Sequence, residues 1–343
     1  MKLLVTGGYF DDSGECFVDR LNPANGSVER LISFFPPPPH RVKTKGFTGA
    51  AFLPDGSLAV CTFDSVWRFA APGEPPAGQL HQPDFNDLHA VSVDPEEGQI
   101  HVCNSGLDAV EIFDMEARFL GRIAMTPAWF EAVRLAGGAV SREDFPSVLR
   151  AGWGPVHRPP TIAPGGTYYD APANDVPFHR RKVRDYAHPN HVVRAGPHLL
   201  VTLLASSEVR CARTLRTIAR IPSPPHDGAL REGHLWLTSV DGRVWRVPMD
   251  TAAPPEAILD TAAAGAFGWC RGLAIDSRAI AVGLTEIRTK PRYPWRDIEL
   301  DKTGTQVLWF DAARRALIAR IDLTDRPRHS KLFALLPAQG AWA

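Results

Sequence analysis

The sequence predicts an all-β, six-bladed β-propeller, closed by N- and C-terminal strands within one blade and carrying a partly helical lid insertion. Three observations predict it: a short strand pattern that recurs, a second pattern that follows it, and an apolar strand left over at the C-terminus. The first pattern reads Leu3-Leu-Val-Thr, Leu58-Ala-Val-Cys, Ile100-His-Val-Cys, Leu199-Leu-Val-Thr, Leu235-Trp-Leu-Thr and Ile280-Ala-Val-Gly. Each copy is apolar, variable, apolar, then small. The second reads Val66-Trp-Arg-Phe, Val110-Glu-Ile-Phe, Val244-Trp-Arg-Val and Val307-Leu-Trp-Phe, with Val209-Arg-Cys as a weaker copy. Asp55-Gly56 and Asp241-Gly242 supply tight turns between strands, as hairpins require.

A third element precedes the first pattern, as Thr48-Gly-Ala-Ala-Phe, His89-Ala-Val-Ser-Val and Arg271-Gly-Leu-Ala-Ile. Strands and hairpins alternating with a period of about 40 residues mark four-stranded propeller blades. The copy at Leu3 lacks its leading strand, and the C-terminal run Lys331-Leu-Phe-Ala-Leu-Leu fits that gap. Closure across the termini removes the two open edges that an unclosed array would leave. The competing arrangement is a β-sandwich or two small β domains.

Composition agrees with a turn-rich globular chain. Among 343 residues, 31 are proline and 28 glycine, 44% are hydrophobic and 22% charged. Lys and Arg number 38, as do Asp and Glu, so a nucleic-acid partner is not expected. The apolar run after Met1 is too short for a signal peptide, and no stretch reaches the ~20 apolar residues of a membrane span. A cytoplasmic protein with no membrane partner is expected. Five cysteines without a Cys-x-x-Cys pair suggest neither a disulfide framework nor a thiolate zinc site. Cys61 and Cys103 stand in the small slot held elsewhere by threonine, and so read as buried strand residues.

A ring of this kind resembles the superfamily of gluconolactonases, strictosidine synthase-like proteins and NHL-repeat propellers. Through His188-Pro-Asn-His, Pro225-His-Asp-Gly and Trp269-Cys-Arg-Gly, the chain is also similar to an uncharacterised bacterial propeller family, which brings no activity with it.

The repeat is interrupted once. Between His89 and His191 lie about 100 residues where one blade needs about 40. The propeller reading takes 1–343 as one domain with a lid at 126–187. Thr126-Pro127 starts a helix that Gly137-Gly138 ends, and Ser141-Arg-Glu-Asp resembles a capping box for a second. A loop from Trp153 to Asp170, containing Tyr168, and a basic stretch from His179 follow. The basic stretch reads as a solvated face or as a clamp for an anionic group. A second connection, 288–303, carries Tyr293 and Trp295 as the facing wall.

The histidines carry the functional reading. Aligning the leading strand of each blade puts Thr48, His89, His191, His226, Arg271 and, in the closing blade, His329 at one position. In a propeller these strands line the channel, so His89, His191, His226 and His329 would converge as metal ligands from separate blades. Imidazole suits Fe, Cu, Zn and Ni. His188 lies three residues from His191 and could take its place. His81, His101, His157, His179, His198 and His234 fall at loop or outer positions and are read as non-ligands. Asp227 and Asn190 neighbour ring histidines and could orient them. Arg271 would hold an anionic substrate group, or serve in a structural salt bridge. Glu286 is a candidate general base. Lys45, Thr48, Asn190, Tyr168 and Trp269 are candidate substrate contacts.

These residues imply a metal-dependent enzyme acting on a small, anionic molecule. An iron(II) oxygenase or other oxidoreductase is favoured, with copper or zinc as alternatives. A zinc-type hydrolase, lactonase, isomerase or lyase on the same site is the second reading, and a non-catalytic binding propeller the third. The superfamily resemblance implies either an oxygen-rich calcium site, as in gluconolactonases, or a metal-free catalytic glutamate, as in strictosidine synthase-like proteins. The imidazoles depart from both. The closest likeness of site geometry is the four-histidine iron centre of carotenoid-cleaving oxygenases. No phosphate loop, nucleophile elbow or dinucleotide fingerprint stands in the right context, so no nucleotide cofactor is expected.

Overall fold

The computed structural model describes residues 1–42, 45–82, 85–125, 187–250, 253–289, 297–325 and 328–343. Twenty-four strands form six antiparallel sheets of four. The first sheet orders β24 (Ser330–Pro337), β1 (Leu3–Tyr9), β2 (Cys16–Asn22) and β3 (Ser27–Phe34). The second holds β4 (Ala50–Phe52), β5 (Leu58–Cys61), β6 (Ser65–Phe69) and β7 (Gly78–His81). The third holds β8 (Leu88–Asp94), β9 (Gln99–Asn104), β10 (Ala109–Asp114) and β11 (Phe119–Ala124). In the fourth are β12 (Pro189–Ala195), β13 (His198–Leu203), β14 (Glu208–Cys211) and β15 (Thr217–Arg220). The fifth comprises β16 (Pro225–Arg231), β17 (His234–Ser239), β18 (Arg243–Pro248) and β19 (Glu256–Asp260). The sixth comprises β20 (Trp269–Ile275), β21 (Ala279–Thr285), β22 (Gln306–Asp311) and β23 (Leu317–Asp322).

The leading strands touch in one closed cycle, β24 to β4, β8, β12, β16, β20 and back to β24. This is the six-bladed propeller that the repeat implies. The six recurrent patterns become the second strands, and the patterns that follow them become the third. The C-terminal run pairs with β1, Thr6 opposite Ala334, so the first blade closes across the termini. Gly56 (φ 83°) and Gly242 (φ 88°) hold the left-handed geometry of the two Asp-Gly turns. The apolar side chains of adjacent blades interlock as separate cores, such as Val102 and Phe113 with Cys61 and Phe85, or Leu3 and Leu332 with Trp309. Cys61 and Cys103 are buried, as their slot predicts, and all five cysteines are free. The tail is pinned where Trp342, fully buried, donates from Nε1 to the Gly56 carbonyl at 3.2 Å.

The helices and loops expected at 126–187, Tyr168 included, lie outside the described residues, apart from Ala187. The same holds for Tyr293 and Trp295. Among the described residues no helix is long and apolar enough to cross a membrane.

Where the leading strands other than β4 open onto the axis, their ladders slip. The register shifts between Leu88 and Ala90, Pro189 and His191, Pro225 and Gly228, and Arg271 and Leu273. Backbone left out of the ladder needs another partner, and side chains of the preceding blade provide it. Thr48 Oγ1 donates to the Leu88 carbonyl (2.6 Å), Ser105 Oγ to Pro189 (2.5 Å) and Asn190 Nδ2 to Pro225 (3.1 Å). Thr202 Oγ1 donates to His226 (2.8 Å) and Thr285 Oγ1 to Leu332 (2.6 Å).

Thr285 also accepts from the Leu332 amide at 3.0 Å. Thr285→Val keeps the shape and strands both backbone groups, so it should cost about 1–3 kcal/mol. A urea titration should show a lower midpoint with an unchanged slope. An unchanged midpoint would mean that this bond does not hold the closing blade.

Candidate functional site: an axial histidine and carboxylate cluster

The strand register defines the axial ring. The residues paired with the third position of each repeat are Ala50, Val91, Val192, Gly228, Leu273 and Leu335. Two positions before them stand Thr48, His89, Asn190, His226, Arg271 and Phe333. Thr48, His89, His226 and Arg271 therefore share one structural position, as the sequence alignment has it. His191 and His329 do not share it. In the fourth blade the slip falls between Pro189 and His191, so Asn190 takes the ring position. His191 pairs with Thr202, its ring 3.5 Å from where a Cβ on Gly228 would stand. In the closing blade the register with β1 puts Phe333 at the ring and leaves His329 ahead of the strand.

A second layer lies two residues further back, at Asp87, His188 and Lys331. Asp87 and His188 both adopt φ 53°, a left-handed conformation that Asp and His tolerate better than most side chains. The shared backbone kink brings them together across the blade boundary. Asp87, His89 and His188 each offer a ligand atom within 4.8 Å of the others, and all are buried. The rings of His89 and His188 sit 4.5 Å apart at 72°, and the His226 ring is 6.3 Å from His89.

Surrounding groups fix these side chains. Asp108 Oδ1 accepts the amides of Ala187 (2.9 Å) and His188 (2.8 Å), which sets the turn presenting His188. His89 Nδ1 meets the Asp87 carbonyl at 2.9 Å, and His226 Nδ1 meets Asp227 Oδ1 at 2.6 Å. With Nδ1–H donating, each ring keeps its lone pair at Nε2. Lys45 Nζ pairs with Asp87 Oδ1, both buried.

Burial pushes the His226 pKa down to about 4; the Asp227 hydrogen bond opposes this, and Arg271 and His188 add to it. His191 is lowered by burial too, against the pull of Asp227. The carboxyl of Asp227 is lowered: burial raises it, and His226, His191 and Arg271 outweigh that.

The opposite side of the ring is cationic and aromatic. The Arg271 guanidinium lies 4.4 Å from the Phe333 ring centroid and 6.0 Å from that of Trp269. Lys45 Nζ lies 5.7 Å from Phe333, and Lys331 Nζ 4.1 Å from Phe10. Burial depresses the Lys331 pKa, and the charges of Arg271, Lys45 and Arg288 depress it further. Glu286 and His329 meet each other, at 2.7 Å, with Arg288 at 3.9 Å from Glu286. The structure thus sets the candidate base directly against the candidate fourth ligand. Thr48 and Asn190, 2% and 1% exposed, serve the bonds between blades described above.

Asp87, Asp108, Lys331 and Phe333 escape the sequence reading. Only a register that counts the slipped residue places Asp87 and His188 two steps behind the ring. His81, read as a non-ligand, stands beside His40 and Asp64 on the second blade.

These features define a six-bladed β-propeller with a buried imidazole and carboxylate cluster at its axial mouth. No protein-family model matches the chain, and no curated protein matches it. Solved structures do match over nearly the whole length. A protein of unknown function from Bacteroides caccae is 11% identical at a TM-score of 0.59, covering 97% of each chain. A structure of a nidogen/laminin complex matches at 11% identity and TM-score 0.57, over 98% of this chain and 97% of that one. A candidate 6-phosphogluconolactonase from Bacteroides fragilis matches at 12% identity and TM-score 0.50, with the same coverage. At such identities the likeness is one of fold.

A buried histidine with a depressed pKa ties stability to pH. His101, fully buried, is held near 4 chiefly by its burial. The unfolded chain takes up a proton on His101 below about pH 6.5, and the native protein only near 4. This contribution is therefore fully present above pH 6.5 and is lost as pH falls towards 4. The urea midpoint should drop across that window, and His101→Gln should flatten the drop. A midpoint as steep in the variant would rule out His101 as the source.

Proposed function

We propose that the protein is a metal-dependent enzyme that hydrolyses or eliminates a group from a small anionic molecule at the axial mouth. The observation that carries this reading is the convergence of Asp87, His89 and His188, all buried, within 4.8 Å. Two imidazoles and one carboxylate suit a catalytic zinc-type or iron(II) site. Lys45 on Asp87, the Asp87 carbonyl on His89 and Asp108 behind His188 are the orienting contacts such ligands need.

A divalent ion held by these three residues would supply Lewis acidity towards a substrate oxygen. The chain's own residues account for the rest. Arg271, stacked over Phe333, favours a carboxylate or phosphate group, and such an anion would also offset the burial that depresses the Lys331 pKa. His226 is neutral at pH 7, and Asp227 fixes its tautomer. Its Nε2 can accept the substrate's proton, and Asp227 then stabilises the imidazolium. This role suits its place one ring away from the tight trio better than that of a ligand. Hydrolase or lyase chemistry follows from a Lewis acid beside a base, without any redox step. The fold likeness to a candidate 6-phosphogluconolactonase agrees with an anionic substrate as analogy.

A second reading, a non-haem iron(II) oxygenase, draws on the same donors, since two histidines and one carboxylate are the usual iron(II) triad. Oxygen uptake by the anaerobically iron-loaded protein separates the two.

Metal analysis of the purified protein should give a stoichiometric ion that His89→Ala or His188→Ala removes and His226→Ala retains. Failure of His89→Ala to release an ion after loading with Zn(II), Co(II) or Fe(II) would sink the axial site. Asp108→Ala should weaken binding about 10–100-fold, read by chelator competition. An unchanged affinity would show that Asp108 does not position His188.

A further inference from the structure

We propose a second, structural site for a zinc-type divalent ion, held by His40, Asp64 and His81 on the outer part of the second blade. The inference stands on these residues alone and does not depend on the axial site. Their ligand atoms lie within 4.8 Å of one another. The Asp64 side chain is fully buried and that of His40 is 19% exposed, while His81 at the end of β7 is the most open of the three, so the group has a buried carboxylate at its base and one side open to solvent.

Three separate elements supply the ligands. His40 ends a short 3-10 turn, Pro38–His40, after a run of four prolines. Proline fixes its own φ near −65°, so the backbone leading into His40 is already restricted before folding. Asp64 lies in the turn from β5 to β6. His81 is the last residue of β7, paired with Ser65.

The side chains are already turned towards one another. The rings of His40 and His81 lie 4.8 Å apart at 70°. His40 Nδ1 is 3.2 Å from Asp64 Oδ2. His81 Nδ1 meets the Asp64 carbonyl at 2.7 Å. That contact fixes the tautomer with the Nε2 lone pair free of the proton, the second-sphere bond commonly found behind a ligating histidine. Ser65 Oγ lies 3.3 Å from His40 Nδ1 and 3.4 Å from His81 Nδ1, and Gln79 Nε2 donates to it at 2.9 Å. Two imidazoles and a carboxylate favour a borderline ion over calcium or magnesium, which prefer oxygen donors. Zn–N and Zn–O bonds are near 2 Å, so the donors close by a small side-chain movement, with no change of backbone.

The position gives the ion a structural task. It would join the connection from β3 to β4, which leads to Lys45, to the end of β7, from which the chain runs to Asp87. Both halves of the Lys45–Asp87 pair are thus anchored from one point.

The test is a Zn(II) or Co(II) titration of the full chain, read by metal analysis and by the visible spectrum of the Co(II) form. His40→Ala with His81→Ala should remove one equivalent and its share of the Co(II) absorption. Native circular dichroism verifies the fold, and His40→Gln serves as a milder variant. His89→Ala should leave this equivalent bound. One equivalent lost in the double variant and kept in His89→Ala supports this site; if that is the only equivalent wild type binds, this site stands and the axial one falls. The proposal is overturned if the double variant binds as many ions as wild type, or if the only ion bound disappears with His89→Ala.

Discussion

The fold depends on side-chain hydrogen bonds that cross, at four of the six junctions, from one blade to the carbonyl backbone of the next, where leading strands leave their own ladders. Thr48, Ser105, Asn190, Thr202 and Thr285 all make this bond. The slip turns the ring residues towards the axis and would leave buried carbonyls without partners. The preceding blade repairs that deficit in four blades, and at the other two junctions backbone amides bridge instead, Phe47 to Gly7 and Cys270 to Val240. Of the threonines in the small slot, Thr202 makes such a crossing bond, while Thr6 and Thr238 accept amides of their own blade's leading strand. Where cysteine stands in it, at 61 and 103, Thr48 and Ser105 make the crossing bond instead.

The same slip builds the site. A strand that stayed in register would aim alternate residues at the two faces of its blade. One extra residue lets Asp87 and His188 approach His89 from two blades, behind the ring. The cost is a left-handed backbone at both positions, which Asp108 offsets by gathering the amides at His188. On the far side, Arg271, Lys331 and Lys45 crowd around Phe333 and Phe10. The axial mouth thus sets a group of lone pairs, with Lys45 bridging to it through Asp87, against the guanidinium of Arg271. An anion bridging the two would satisfy both.

The blades were legible because a strand pattern repeats as identity of position. The closing strand could be read because an apolar run without a partner must find one. The histidine alignment succeeded for His89 and His226 and slipped for His191 and His329. A hydrophobicity pattern does not record a residue that belongs to no ladder pair. In His188-Pro-Asn-His both histidines suit a strand start, and only the register separates them. The closing blade carries no histidine at the ring, because Phe333 fills it. Asp87 and Asp108 stand in turns, where nothing periodic marks them. The group at His40 brings together residues from an entry turn and two strand ends, a proximity no spacing rule expresses.

The amide of Ala334 bonds to Thr6 Oγ1 across 328 positions of chain. During synthesis β1 leaves the ribosome long before its inner neighbour exists. It must wait, with Leu3, Leu4 and Val5 unshielded, until almost everything else has been made. Entropy for closing so long a loop grows only logarithmically, so the finished ring loses little by it. The burden falls on the nascent chain, whose first blade stays an open edge while five others assemble. A propeller sealed in this way gains a latch that engages last, and a truncated product lacking β24 would display that edge to any passing strand.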